Sequence, residues 1–231
     1  MDANTRGAYS LPRKLLVCLF PLALMSAALF GAAGRIDIAA FWVYLGIWCV
    51  MLVVGIVVTH RSDPTLFQER MKPGPGGKDP WMRRLGGPLL LAHLVVAGLD
   101  VGRYGWTGAV PLAAQVAGFV VIAAALAIAL WAQTVNRFFS SEVRIQRDRG
   151  HHVITTGPYH FIRHPGYACF LVACAAAPVA LGSWWSVVPL LLALGMLLRR
   201  IRIEDRLLLA ELEGYAEYAQ RTRFRLLPGV W

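Results

Sequence analysis

The sequence predicts an all-α, polytopic integral membrane protein: about six apolar helices, the last two a short hairpin, followed by a cytoplasmic C-terminal amphipathic helix. Three observations carry this. Of 231 residues, 57% are hydrophobic and only 16% charged, too little charge to cover a soluble domain of this size. The apolar residues fall into long runs, several near the roughly 20 residues that a helix needs to cross a bilayer. Lys and Arg gather in alternate connections, as the positive-inside rule requires.

Taken in order, the runs place spans at 14–33, 39–59, 86–103, 108–132, 167–181 and 185–200. The first has the basic flank of a signal peptide, but it lacks a convincing cleavage site and further spans follow, so it reads as a membrane helix. Span four is alanine-rich from Ala113 to Ala129, which allows close helix contact. Gly182-Ser183-Trp184-Trp185-Ser186 reads as a tight interfacial turn joining the last two spans. Every Lys and Arg except Arg35 and Arg103 falls in the N-terminal tail, in 60–85, in 133–166 or in the tail from 199. Both termini are therefore expected in the cytoplasm, with a bacterial-type inner membrane as the setting. The net charge of +10 is then explained by topology and anionic lipid headgroups, and nucleic-acid binding becomes unnecessary. One membrane domain is expected over 1–231, a four-span part (1–132) and a catalytic part (133–231).

Two tempting motifs are set aside. Met71-Lys72-Pro73-Gly74-Pro75-Gly76-Gly77-Lys78-Asp79-Pro80 lacks the Ser or Thr and the preceding strand of a phosphate loop, and reads as a flexible connector. Cys18, Cys49, Cys169 and Cys174 all lie in apolar runs with no C-x-x-C pair, and read as small buried hydrophobes.

Residues 150–168 are the polar, turn-rich interruption of the apolar second half. Four of the six histidines lie here (His151, His152, His160, His164), with Arg163, Tyr159 and Tyr167. Gly157-Pro158 and Pro165-Gly166 are turn dipeptides, so the backbone between them is expected to be irregular and free to bind a ligand. Beside lipid, such a segment must be buried in protein or line a polar cavity. His160 and His164 have i, i+4 spacing, but prolines bracket the pair and no H-E-x-x-H is present, so no metal site is expected. A second polar cluster, Arg199 to Arg206, follows the hairpin. Arg200 and Glu204 are four apart and share a helix face, and Glu204-Asp205 comes within about a turn of the bilayer, where an acid needs a partner. Arg199, Arg202 and Arg206 read as headgroup contacts. The hairpin folds the two clusters together into a pocket suited to a zwitterionic, aromatic-headed cofactor and a lipophilic co-substrate arriving sideways from the bilayer.

At these residues the chain resembles a known family. Gly157-x-Tyr159-x-x-x-Arg163-His164-Pro165-x-Tyr167, then an apolar hairpin, Glu204-Asp205 and Gly214-Tyr215-x-x-Tyr218, is similar to the isoprenylcysteine carboxyl methyltransferase and phospholipid methyltransferase superfamily. The resemblance covers roughly residues 133–231 and implies an integral membrane enzyme using S-adenosylmethionine. It implies that His151, His152, Val153 and Ile154 border the cofactor. Gly157, Tyr159, Arg163 and the run His164-Pro165-Gly166-Tyr167 would hold it, with Gln146, Glu204 and Asp205 also on the cofactor side. Arg200 matches the family's substrate-side arginine, which with Glu204 makes up the expected catalytic pair. The sequence departs from the family at Asp205, where Glu is common, and at Ala168-Cys169. A carboxylate acceptor would need no general base, whereas an amine would. Phospholipid amine N-methylation, an NADPH-dependent reductase related to sterol reductases, and a non-enzymatic membrane protein are the alternative readings.

Overall fold

The computed structural model describes residues 10–62, Phe67 and residues 77–231. Most of the N-terminal tail and the Met71–Gly76 part of the connector lie outside the described residues. Among the described residues the fold is all-helical, and four helices are long and apolar enough to cross a membrane: Pro12–Gly31, Ala39–Arg61, Pro80–Tyr104 and Leu112–Val135. We call their regular parts α1 (Leu11–Ser26), α2 (Ala39–Ser62), α3 (Pro80–Leu99) and α4 (Leu112–Val135). Both α1 and α3 run on into a wider π turn, Ala27–Gly31 and Asp100–Tyr104. The hairpin follows as α5 (Pro165–Leu181) and α6 (Val187–Glu211), and a short α7 (Tyr215–Arg221) closes the chain.

Local chemistry accounts for the boundaries. Proline opens α3 and α5, where a missing N–H costs nothing. Asp79 caps α3 by accepting from the Met82 amide at 3.4 Å. Gly182 ends α5 at φ 78°, and Gly214 precedes α7 at φ 76°, left-handed positions that favour glycine. Span three begins six residues before the apolar run does, because Asp79-Pro80 supplies a cap and first turn. The charged stretch expected as a separate C-terminal helix is instead the second half of α6, which runs 25 residues without a break. One rigid element thus joins the hairpin turn to Arg200, Glu204 and Asp205.

The α4–α5 packing is close. A Cβ on Gly118 would lie 2.9 Å from the Ala180 backbone nitrogen, so these helices touch through backbone. Leu29, Phe41, Leu94, Ile122 and Leu181, all nearly fully buried, knit α1 to α5 into the main core. A polar lock ties the hairpin turn to the end of α3. Buried Asp100 accepts from the Thr107 amide at 2.9 Å, from the Thr107 hydroxyl and from the Ser183 hydroxyl at 2.6 Å. The Trp184 amide donates to Thr107 Oγ1 at 2.9 Å, and His93 Nδ1 donates to the Ser186 carbonyl at 2.9 Å. Satisfied in this way, a carboxylate can be buried. The lock fixes the hairpin's height against α3.

Candidate active site

At the other end of the bundle, the C-terminal end of α4, the N-terminal ends of α3 and α5 and the charged half of α6 meet around one cavity of about 880 Å³. The two clusters read from sequence meet here. Arg163 and Glu204-Asp205 lie side by side, Arg163 Nη1 being 3.4 Å from Asp205 Oδ1.

Asp205 is the hub behind the cavity wall. It is 1% exposed and meets Arg163, His164 Nε2 at 3.3 Å, the Tyr215 hydroxyl at 2.9 Å and Arg225 Nε at 2.8 Å. Burial alone would raise its pKa, but the hydrogen bonds from His164 and Arg225 and the nearby cations outweigh it and hold the carboxyl below its ordinary range. The Tyr215 phenol is pushed up, first by burial and then by that carboxylate.

Glu204 and Arg200 face the cavity and are joined through Tyr167. The Tyr167 hydroxyl donates to Glu204 Oε2 at 2.6 Å and accepts from Arg200 Nε at 2.8 Å. Arg200 Nη2 donates to the Ser141 carbonyl at 2.6 Å, and Nη1 takes part in neither bond. His164 Nδ1 stands 3.8 Å from Glu204 Oε1. The imidazole of His164 therefore bridges both acids.

The tail holds this arrangement from behind. The Arg163 amide donates to Phe224 O at 3.0 Å and the His164 amide to Arg225 O at 2.9 Å, so 224–225 runs beside the turn. The Arg202 and Arg225 guanidinium groups lie over the Trp231 ring. Trp231 is thereby half-buried between two arginines. Tyr218 donates to the Tyr159 carbonyl at 2.6 Å, and Asn136 Nδ2 donates to the Tyr159 hydroxyl at 3.1 Å.

The cavity borders His151, His152, Val153, Ile154, Tyr159, Arg163, His164, Gly166, Tyr167, Arg200 and Glu204. The His151 and His152 rings lie 4.5 and 4.9 Å from that of Phe138. Burial first, then the neighbouring charges of His152, Arg144 and Arg149, lowers the His151 pKa to about 4. Gln146, Gly157, Pro165 and Asp205 do not border the cavity; they brace residues that do. Gln146, 1% exposed, donates to the Phe138 carbonyl at 2.6 Å and accepts from Arg149 at 2.7 Å. Gly157 has φ 58°, and a Cβ there would press on Val135 at 3.0 Å. Pro165 starts α5.

Several bordering groups were not singled out from sequence. Asn136, Phe138, Glu142 and Arg144 are among them. Trp48, Leu126, Phe170 and Leu197 supply an apolar wall reaching into the spans. Arg83 enters where the end of the connector is held at Lys78, whose amide donates to Val143 O and whose Nζ donates to Glu211 at 3.0 Å. Arg199, read as a headgroup contact, pairs with buried Asp79 at 2.9 Å. Their only sequence signal was a run of polar residues at the end of an alanine-rich span. No group of three or more His, Cys, Asp or Glu suited to a metal occurs among the described residues.

The fold is thus a helical bundle of the membrane-spanning class whose cavity, part polar and part apolar, is built around an R-H-P-x-Y turn and a downstream acidic pair. Residues 116–210 match the isoprenylcysteine carboxyl methyltransferase family. A probable protein-S-isoprenylcysteine O-methyltransferase of Oryza sativa subsp. indica is 30% identical over 136 residues, which are 57% of this chain and 68% of that protein; the Oryza sativa subsp. japonica protein matches equally. A cobalt-zinc-cadmium resistance protein, CzcN, of Cupriavidus metallidurans is 29% identical over 140 residues, covering 60% of this chain and 61% of its own length. The chain belongs to the isoprenylcysteine carboxyl methyltransferase family.

Proposed function

We propose that this protein transfers a methyl group from S-adenosylmethionine to the carboxylate of a lipophilic acceptor reaching the cavity from the bilayer. The observation that carries the reading is the Arg200–Tyr167–Glu204 chain on the wall of a cavity whose other side is apolar. The residues present fit the donor. The cavity is of the size typical of sites for small molecules. Phe138, His151 and His152 offer ring faces, and Glu204 offers a carboxylate to a polar end. When bound, the donor supplies an activated sulfonium methyl: the acceptor's carboxylate oxygen forms the new C–O bond while the S–CH3 electron pair returns to sulfur, and no proton moves.

The chain's own residues then do the positioning. Arg200, held at two nitrogens, orients the acceptor carboxylate through a charge-assisted bond. Tyr167 fixes Arg200 and Glu204 in one register, and Asp205 fixes Arg163 and His164. The apolar wall excludes water, and in-line approach in a dry site supplies the rate. Cytoplasmic placement of this end, as positive-inside charge suggests, would give access to a soluble donor and to anionic headgroups.

The test is transfer of labelled methyl from S-adenosylmethionine into a lipid extract by the reconstituted protein, with titrations of S-adenosylhomocysteine and NADPH alongside. The expected product is a methyl ester, which alkali cleaves to methanol. A base-stable label would indicate the amine acceptor instead. NADPH binding without S-adenosylhomocysteine binding would favour a reductase and sink the proposal.

A further inference from the structure

The cavity has an inner end, and two residues make it. On α4 its border follows Gln133, Ala129 and Leu126, the three- and four-residue steps of a single helix face. The stripe turns from polar to apolar as it leaves the site. Among the described residues, Leu126 and Trp48 of α2 are the only ones that both border the cavity and pack against the main core. One turn back along each helix, Ile122 and Tyr44 are already core, 1% and 6% exposed. The space therefore stops at the Trp48 indole and the Leu126 side chain. The Tyr44 ring braces the indole edge-on, with centroids 6.2 Å apart.

Helix packing closes the flanks of this inner part. Ala125, Cys169, Ala173 and Ala129 pack α4 against α5, while Leu197, Phe170, Tyr167 and Met82 share one cluster between α3, α5 and α6. Gln133 and Leu126 are two turns apart, about 10 Å along the helix. An isoprene unit adds four bonds of ~1.5 Å in zigzag and so advances about 5 Å. Two such units reach from the polar end to the floor. We propose that Trp48 and Leu126 limit the length of the acceptor's hydrocarbon tail, so that this site selects a tail of about two isoprene units over longer ones. This rests on the methyl-transfer reading and names the acceptor class within it. In a cleft that let the tail run out into lipid, extra carbons would cost nothing. In an open apolar channel, each added methylene would tighten binding about fourfold. A closed floor reverses that trend, because the excess chain has to fold back on itself in a packed space.

The experiment uses the full chain in nanodiscs, as wild type, Trp48→Ala, Leu126→Ala and Leu126→Trp. It compares kcat/KM for methyl transfer to N-acetyl-S-geranylcysteine and to N-acetyl-S-geranylgeranylcysteine, which share one head and differ only in tail length. Wild type is expected to favour the shorter tail by about tenfold or more. Trp48→Ala and Leu126→Ala, which lower the floor, should shrink that ratio to within about threefold, and Leu126→Trp, which raises it, should widen it. In a second arm, N-acetyl-S-geranylcysteine bearing a diazirine at the tail end is photolysed on wild type and the labelled peptides are mapped. Label is expected at Trp48 or Leu126. A wild-type ratio near one, a preference for the longer tail, or alanine variants that slow both acceptors equally would overturn the inference. So would label confined to lipid or to the loops. Should the alanine variants not fold, the wild-type ratio and the label decide. Absence of transfer to either acceptor strikes the methyl-transfer reading instead, and the label alone then decides the floor.

Discussion

Tyr167 of α5 and Glu204 of α6 meet at 2.6 Å, hydroxyl to carboxylate, and the same hydroxyl receives Arg200 Nε at 2.8 Å. Removing this one oxygen frees both charged side chains without opening a large void. Tyr167→Phe is expected to lower kcat on the order of 10- to 100-fold, since small misplacements of an orienting group are costly. S-adenosylhomocysteine affinity should fall much less. Single-turnover methyl transfer and calorimetry check the split.

Asp205 should dominate stability at this end. Asp205→Ala leaves Arg163 and Arg225 near each other with no buried counter-charge, a loss worth about 3–5 kcal/mol. The melting temperature in detergent should drop on the order of 10 °C. Arg225→Ala, which removes one half-exposed partner, should cost clearly less.

The lock at the far end separates stability from chemistry. Asp100→Ala strands the Thr107 and Ser183 donors and should cost about 1–3 kcal/mol. Because Asp100 borders no part of the cavity, cofactor affinity measured well below the melting temperature should change less than about threefold. A larger affinity loss would mean that hairpin height is transmitted to the site.

His151 gives the pH dependence. Its folded pKa, about 4, lies below the ordinary 6.5, so the fold prefers the neutral ring. That preference is fully present above pH 6.5 and is lost as pH falls from 6.5 towards 4. Thermal melts across this window should show wild type losing stability more steeply than His151→Gln. Parallel curves would remove His151 as the cause.

Much of this was legible in sequence because two local rules were strong. The R-H-P-x-Y turn is bounded by prolines, and Arg200 and Glu204 sit one helical repeat apart, so both clusters could be placed before their meeting was seen. What could not be read was long-range pairing. Lys78 on Glu211, Arg199 on Asp79 and Arg225 on Asp205 join residues far apart in the chain, and nothing in local composition marks such a pair. For the same reason Arg199 read as a headgroup contact and not as the partner of Asp79. The continuation of α6 through its arginines was missed because a charged run signals the end of a span. Here it signals only that the helix has left the apolar layer.

That unbroken helix has a mechanical consequence. The exposed Trp184-Trp185 turn lies just before one end of α6, while Arg200 and Glu204 ride in its other half. A thicker or thinner hydrocarbon layer that tilted this rod would shift both side chains relative to the turn that bears Arg163 and His164. Turnover is therefore expected to change with the acyl-chain length of the host lipid, with no ligand and no modification involved.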